Sequence, residues 1–148
     1  MPGSPKAPHD GPPKGRRQVY EYAVIRIVPR VEREEFVNVG VIVFSRTLRF
    51  LDVRMALDEA RLLALHPGVD LAKVRAHLAL IPQIVAGDGP FAQMDLGERF
   101  RWVAAPHSTT VQSSPIHTGL CHDPRTVLEH LFARMVGEMG NGEWRMEN

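Results

Sequence analysis

Residues 19–28 read VYEYAVIRIV and residues 36–45 read FVNVGVIVFS, and these two stretches decide the fold. Both are rich in β-branched and aromatic residues, which is typical of β-strands. A short charged segment that begins with Pro29 separates them, and a connection this short joins antiparallel strands. Residues 48–55, LRFLDVRM, follow after a brief turn as a third strand. The pattern therefore predicts an antiparallel meander.

Three helices are predicted after the meander. Asp58, Asp70 and Asp123 each precede a segment with apolar residues at helical spacing, and aspartate is a favoured N-cap. Residues 100–104, FRWVA, read as a fourth strand, and residues 106–120 as a long polar loop with a short strand near its middle. These elements predict an α+β domain: an antiparallel sheet of about four strands, with the three helices packed mainly on one face.

The composition is that of one globular domain flanked by two tails. The chain has 148 residues, of which 44% are hydrophobic, enough for a single core. Residues 1–17 predict a disordered Pro/Gly-rich basic tail, residues 18–137 the globular domain, and residues 138–148 a frayed C-terminal tail. The lone Cys121 excludes an intramolecular disulfide. With neither a signal peptide nor a long apolar run in the sequence, the expected location is the cytoplasm.

The distribution of charge bears on the class of partner. Residues 1–18 carry a net charge of +3, whereas the whole chain carries only +1. A near-neutral body is unusual for a dedicated nucleic-acid-binding protein. The basic tail, with Tyr20 and Tyr22 beyond it, offers stacking and charge to single-stranded bases, but solvation of the tail and packing of the tyrosines are the favoured interpretation.

Polar residues inside the predicted strands are the first candidates for a site. Arg26 and Asn38 interrupt apolar strands and could lie on one face of the sheet, with Glu34 or Glu35 as acceptors for the guanidinium. Gly40 would leave room for a close neighbour or mark a bulge. An anion site and a structural network both fit, and the structural network is favoured because polar groups in strands are usually satisfied structurally.

Loop residues are the second set of candidates. The histidines and the cysteine of the loop suit zinc chemically, but their spacing matches no common zinc motif, so we expect no metal site and no cofactor. Glu35 and its acidic neighbours alternate with arginines, which is typical of a solvated loop. Ser114 and His117 lie in the long loop without an organised nucleophile motif.

Three segments carry a family resemblance: YEYAVIRIVPR (20–30), EEFVNVGVIVF (34–44) and SSPIHTGLCHDPRTVLEHLF (113–132). Through them the chain resembles the bacterial domain of unknown function 3037 family over roughly residues 18–136. The resemblance implies a domain-sized fold and no established activity. Relatives encoded near HipA-like kinases would imply an accessory role beside such a kinase.

Two functions remain open from the sequence. The favoured one is a small bacterial accessory domain, non-enzymatic, that binds a protein partner; nucleic acid and membrane partners are not expected. The alternative is a small-ligand or phosphoester-acting enzyme with a site around Arg26, Asn38 and the 107–122 loop. The candidate residues for a ligand or partner are Arg26, Glu35, Asn38, Gly40, Ser114 and His117.

Overall fold

The structure, a computed structural model, describes residues 15–106 and 108–137 and the backbone of 144–146. The described part contains six strands and four α-helices. In chain order these are β1 (Gln18–Ile27), β2 (Val37–Ser45), β3 (Phe50–Leu57), α1 (Glu59–Leu65), α2 (Leu71–Ala86), α3 (Leu96–Ala104), β4 (Val111–Ser113), β5 (His117–Cys121), α4 (Pro124–Met135) and β6 (Trp144–Met146).

All the strands belong to one antiparallel sheet, so the predicted α+β class is confirmed. The order is β4-β1-β2-β3-β6, and β5 also pairs with β1. The strands β4 and β5 pair with different halves of β1: β4 with residues 25–27 and β5 with residues 18–22. The predicted meander is therefore β1-β2-β3, and two short strands together complete its outer edge.

The helices lie mainly on one face of the sheet, as predicted, but α4, one of the three predicted helices, packs on the opposite face. The main core lies between the sheet and α1, α2 and α3, with Ile25, Ile42 and Phe100 among its fully or almost fully buried side chains. On the other face α4 packs over β2 and β3, where Leu128 and Leu131 contact Val41 and Val43. Because β2 is apolar on both sides, it is buried as a central strand.

A β-bulge in β2 changes which residues share a face. The pairing of β1 with β2 shifts between Ile25, which is opposite Gly40, and Arg26, which is opposite Asn38. Strict alternation would place Val39 and Val41 on the same face. Instead Val39 lies in the main core and Val41 contacts α4, because the extra residue of the bulge reverses the alternation.

Residues 100–104 form the end of α3, so the predicted fourth strand is wrong and a fourth helix is present. The cause is a capping box that begins the helix. The Asp95 carboxylate accepts from the Glu98 backbone N–H at 2.8 Å, and the Glu98 carboxylate accepts from the Asp95 N–H at 2.8 Å. Phe100 and Val103 then lie on the buried face of the helix. Local capping outweighs the strand preference of the segment.

The predicted long loop is shorter than expected. The short strand expected near its middle is present as β4, but the sequence pattern does not reveal β5. Most of β5 is exposed, so it shows no apolar alternation. Most of the predicted N-terminal tail and most of the predicted C-terminal tail lie outside the described residues, whereas the backbone of 144–146 pairs with β3. No helix of the described residues could cross a membrane.

Candidate functional site

Arg26 and Asn38 are neighbours across β1 and β2, on the face of the sheet that carries α4. The Asn38 side-chain amide donates to the backbone carbonyl of Met135, at the end of α4, over 3.1 Å. The Arg26 guanidinium lies 4.0 Å from the centre of the Phe36 ring. The pair therefore holds a helix end and an aromatic ring against the sheet, which is a structural role.

The environment of Arg26 is not the one expected from the sequence. Burial lowers the pKa of the Arg26 guanidinium, and its Nε has no hydrogen-bond partner among the described residues; the same holds for Asn38 Oδ1. The acceptor expected at Glu35 is directed elsewhere, since that carboxylate bonds Arg33 at 2.9 Å. This bond lowers the pKa of the Glu35 carboxyl. Phe36, through a cation–π contact, takes the place of the expected carboxylate.

Gly40 lies where β2 and β3 approach each other closely. A Cβ at this position would overlap the Met55 Cγ and lie 3.0 Å from the carbonyl oxygen of Arg54. Glycine is therefore required by the close approach of the two strands, next to the bulge. Gly40 therefore has a packing role, and the close neighbour expected from the sequence is Met55 of β3.

Ser114 is buried and bonded to the middle of β1. Its Oγ accepts from the Val24 N–H at 2.9 Å and donates to the carbonyl of Pro115 at 2.8 Å. Its own N–H donates to the Val24 carbonyl at 2.8 Å. Both backbone groups of Val24 are thus satisfied at the gap between β4 and β5, where no regular ladder exists. Among the described residues, no basic side chain bonds this hydroxyl to activate it as a nucleophile.

His117 is exposed and stacks on Tyr22, with the ring centres 5.1 Å apart. His107 lies outside the described residues. Cys121, the one cysteine of the sequence, is buried, and burial raises the pKa of its thiol. Because metals bind the thiolate, burial disfavours metal binding at this residue. No group of three or more His, Cys, Asp or Glu able to hold a metal ion occurs within the described ranges.

Two clefts lie on the opposite face of the sheet, and no pattern in the sequence predicts either of them. The first has a volume of about 240 Å³, beside the beginning of α2; its polar lining includes His66, Lys73 and Ser108. The second has a volume of about 230 Å³, between α2 and α3, and its lining is mainly apolar. His77 and Val111 line both clefts, so they adjoin along α2. Their volumes are below the range of about 300–1,000 Å³ that is usual for small-molecule sites.

The second cleft is rimmed by two exposed apolar side chains. Leu80 is 51% exposed and Trp102 is 45% exposed. Ile81, Ile84 and Val103 form the buried floor between them. We call this cleft, with its two rim residues, the α2–α3 groove. In the sequence, Leu80 is an apolar residue next to the buried positions of α2 and not one of them, which is a signal for an apolar surface. The second wall was missed because residues 100–104 were predicted to be a strand.

The arrangement brings together some of the candidate residues and separates others. Arg26 and Asn38 are adjacent, and Gly40 lies next to them in β2. Ser114 is opposite Val24, and His117 is opposite Tyr22, further along β1. Glu35 lies in the exposed β1–β2 loop with Arg33. Both clefts are on the other side of the sheet, so these residues do not converge in either of them.

The chain belongs to the family described as protein of unknown function (DUF3037), whose profile matches residues 22–136, more than half of the chain. The match runs from Tyr22, in the middle of β1, to the end of α4, and so includes all the candidate residues and both clefts. No curated protein and no solved structure matches the chain.

Proposed function

We propose that this protein is a small bacterial accessory domain of the cytoplasm that is not an enzyme and binds a protein partner through the α2–α3 groove. The observation that carries the proposal is the pair of exposed apolar side chains, Leu80 and Trp102, on either side of an apolar depression. Contiguous apolar surface that is exposed on a monomer commonly marks an interaction site.

The surface of α2 beside the groove supports a protein as the partner. From Ala76 to Gly87 the chain has no Asp, Glu, Lys or Arg. The exposed positions in this part of the helix include Ala79 and Gln83. The centres of protein interfaces are depleted of charged residues and enriched in aromatic residues such as Trp. An uncharged helix surface next to an exposed Trp102 has both properties.

The size and chemistry of the groove indicate what it receives. A volume of about 230 Å³ with an apolar lining suits one large apolar side chain of a partner rather than a cofactor. Burial of such a side chain contributes about 1.5–3 kcal/mol. Trp102 already contacts the Phe91 ring edge-on, with centres 5.8 Å apart, which holds one rim in place for the partner.

The alternative of a ligand-binding or phosphoester-acting enzyme receives less support. It required Arg26, Asn38 and the 107–122 loop to converge in an open pocket. Asn38 is instead bonded to the end of α4, Arg26 is stacked on Phe36, and the loop residues Ser108 and Thr110 line a cleft on the other side of the sheet. The family resemblance makes a HipA-like kinase the first partner to test.

The test is a binding measurement with matched variants. A purified HipA-like kinase from the same genome, and proteins captured in the native host, are titrated against the full chain by calorimetry. Leu80→Asp and Trp102→Ala should each weaken binding about tenfold or more, the effect of losing an interface hot spot. Leu120→Asp is the control, because Leu120 is 52% exposed but lies on β5, away from the groove.

Equal binding by all three variants would exclude the α2–α3 groove as the interface. A partner that is lost only from the Leu120→Asp variant would move the interface to the β5 edge. Thermal melts of each variant accompany the titrations, and all three substitutions are at exposed positions, so the fold should be retained.

A further inference from the structure

On the face of the sheet that carries α4, the strands next to the helix carry a group of aromatic rings. The helix packs over β2 and β3, and the adjacent part of the face is formed by β1, β4 and β5. Three aromatic rings lie on this part: those of Tyr20, Tyr22 and His117. The two tyrosines are partly buried, since they pack against the cluster that Val41 and Leu128 form under α4, and the histidine is exposed. We call these three rings the aromatic row.

The rings of the aromatic row are nearly parallel. Tyr20 and Tyr22 have ring centres 6.2 Å apart at an interplanar angle of 28°. The Tyr22 and His117 centres are 5.1 Å apart at 30°. The row combines residues of β1 with a residue of β5, a strand that the sequence pattern does not reveal. The sequence therefore showed two tyrosines, whereas the structure shows three aligned rings.

Gly119 sets the position of the first ring. It is opposite Tyr20 in the pairing of β1 with β5, and a Cβ at residue 119 would lie 2.6 Å from both Cζ and Oη of Tyr20. The phenol ring therefore lies over the backbone of β5, against the strand. A side chain at residue 119 would push this ring away from the sheet. Because Gly119 has no side chain, the Tyr20 ring can pack directly on the backbone of β5.

Basic residues lie at both ends of the row. Arg16 and Arg17 are exposed and immediately precede β1, at the Tyr20 end. Arg26 lies toward the other end of β1, on the same face as the tyrosines. The span from Arg17 to Arg26 along the strand is about 30 Å, from a rise of about 3.3 Å per residue. Residues 1–18 as a whole carry a net charge of +3.

Among the described residues, Glu21 and Asp123 lie close to the row, and both carboxylates have other partners. Glu21 of β1 points to the opposite face, where its carboxylate lies 3.9 Å from the Arg101 guanidinium. Asp123, which follows β5, caps α4 by accepting from the Arg125 N–H and the Thr126 hydroxyl, each at 3.0 Å. The face thus combines aromatic rings with positive charge at its two ends, a pattern complementary to a chain of bases and phosphates.

We propose that the aromatic row and its flanking arginines bind single-stranded nucleic acid, with bases stacked on Tyr20, Tyr22 and His117 and phosphates beside Arg16, Arg17 and Arg26. Stacking needs unpaired bases, whose faces are free, so a duplex does not fit. The flanking arginines attract the phosphates without regard to sequence. This surface is on the opposite face of the sheet from the α2–α3 groove, so the inference is independent of the proposed protein partner.

The test measures fluorescence anisotropy of labelled oligouridine and oligothymidine of about 12 nucleotides, within the usual site sizes of single-strand-binding domains, against the full chain. We expect saturable binding that weakens as salt rises from about 50 to about 200 mM. A duplex of the same length and a polyglutamate peptide should bind at least about tenfold more weakly, because neither offers free bases to stack.

Matched variants separate stacking from charge. Tyr20→Leu with Tyr22→Leu, and His117→Ala alone, should each lower affinity for the oligonucleotides, the first pair by about tenfold or more. His117 is exposed, so its variant reports on stacking even where the tyrosine pair fails to fold. Arg16→Ala with Arg17→Ala should reduce both the affinity and the salt dependence. The control, Arg61→Ala with Lys73→Ala, removes the same charge from exposed positions on α1 and α2.

Several outcomes would overturn the inference. Absence of binding to either oligonucleotide would do so. Equal loss in the Arg61 and Lys73 control, or equal affinity for polyglutamate, would show attraction by overall charge alone. If the folded His117→Ala variant and the variant with Tyr20→Leu and Tyr22→Leu both keep the wild-type affinity, the bases do not stack on this row.

Discussion

The side-chain amide of Asn38 in β2 donates to the backbone carbonyl of Met135 in the last turn of α4, over 3.1 Å and 97 positions of sequence. The carbonyls in the last turn of a helix have no partner within the helix. One polar side chain in an otherwise apolar strand therefore satisfies a helix end and fixes where α4 stops on the sheet. Asn38, a candidate for ligand binding in the sequence, thereby holds α4 in place on the sheet.

Asn38→Ala should lower the free energy of unfolding by about 1 kcal/mol, the usual net contribution of such a hydrogen bond. The loss is limited because the unpartnered Oδ1 is removed at the same time. Urea titrations measure the change, with the exposed Thr118→Ala as control. Amide exchange near Met135 should quicken selectively. An unchanged midpoint would show that the bond to α4 contributes nothing to stability.

Ser114→Ala should be more destabilising, by about 1–3 kcal/mol, because it leaves the buried N–H of Val24 without an acceptor. Ser113→Ala is the matched control: its hydroxyl donates to the carbonyl of Val103 at 3.2 Å and accepts no buried N–H from any residue that the structure describes. Chemical denaturation of both variants makes the comparison. The interpretation fails if the two substitutions have equal effects.

Gly40→Ala should destabilise the domain by about 1–3 kcal/mol, the range for overpacking a core. Its Cβ meets the backbone of Arg54 as well as the side chain of Met55, so a change of rotamer alone cannot relieve the contact. Gly68→Ala is the control, since its nearest neighbour would be the His66 ring at 3.6 Å. We expect the control to be neutral or slightly stabilising. Thermal melts that rank the two variants in the reverse order would contradict the close approach of β2 and β3.

The bond between Glu59 and Arg75 should make the packing of α1 on α2 depend on pH. Arg75 donates to both carboxylate oxygens of Glu59, at 2.6 and 2.7 Å, and this lowers the pKa of the Glu59 carboxyl. A lowered folded-state pKa stabilises the fold above the usual glutamate pKa, and the contribution disappears as pH falls through the lowered value. At neutral pH the melting temperature of the wild type should exceed that of Glu59→Gln by a few degrees at most. In acid the two melting temperatures should converge. A gap that persists in strong acid would assign the effect to packing.

The parts of the fold that depend on local chemistry were predictable. The strand preference of β1 and β2 and the capping aspartates of α2 and α4 act over a few residues, and they appear in the sequence as patterns. Asp95 and Glu98 also form a capping box whose pattern is visible in the sequence, and it predicts the helix that contains residues 100–104, whose apolar and aromatic residues alone favour a strand. Arg26 and Asn38 were correctly placed on one face, because a single antiparallel pairing determines that relationship.

The remainder depends on contacts between distant segments. The bulge beside Gly40 places Val41 and Val43 on the face that α4 covers, and alternation alone cannot show a bulge. The position of His117 beside Tyr22 depends on the register of β5, an exposed strand without an apolar pattern. The α2–α3 groove requires two helices whose packing is set by the shared core.

The division of the outer edge into β4 and β5 has a consequence for the behaviour of the protein at high concentration. A continuous exposed edge offers a row of free N–H and C=O groups to which another chain can add a strand, and this is a route to aggregation. Here the edge is interrupted after three residues of β4, where Ser114 turns both its hydroxyl and its N–H inward to Val24. The next residue, Pro115, has no N–H to offer. A foreign strand would find only two short and separate stretches to pair with, so this edge protects the folded domain against growth into fibres.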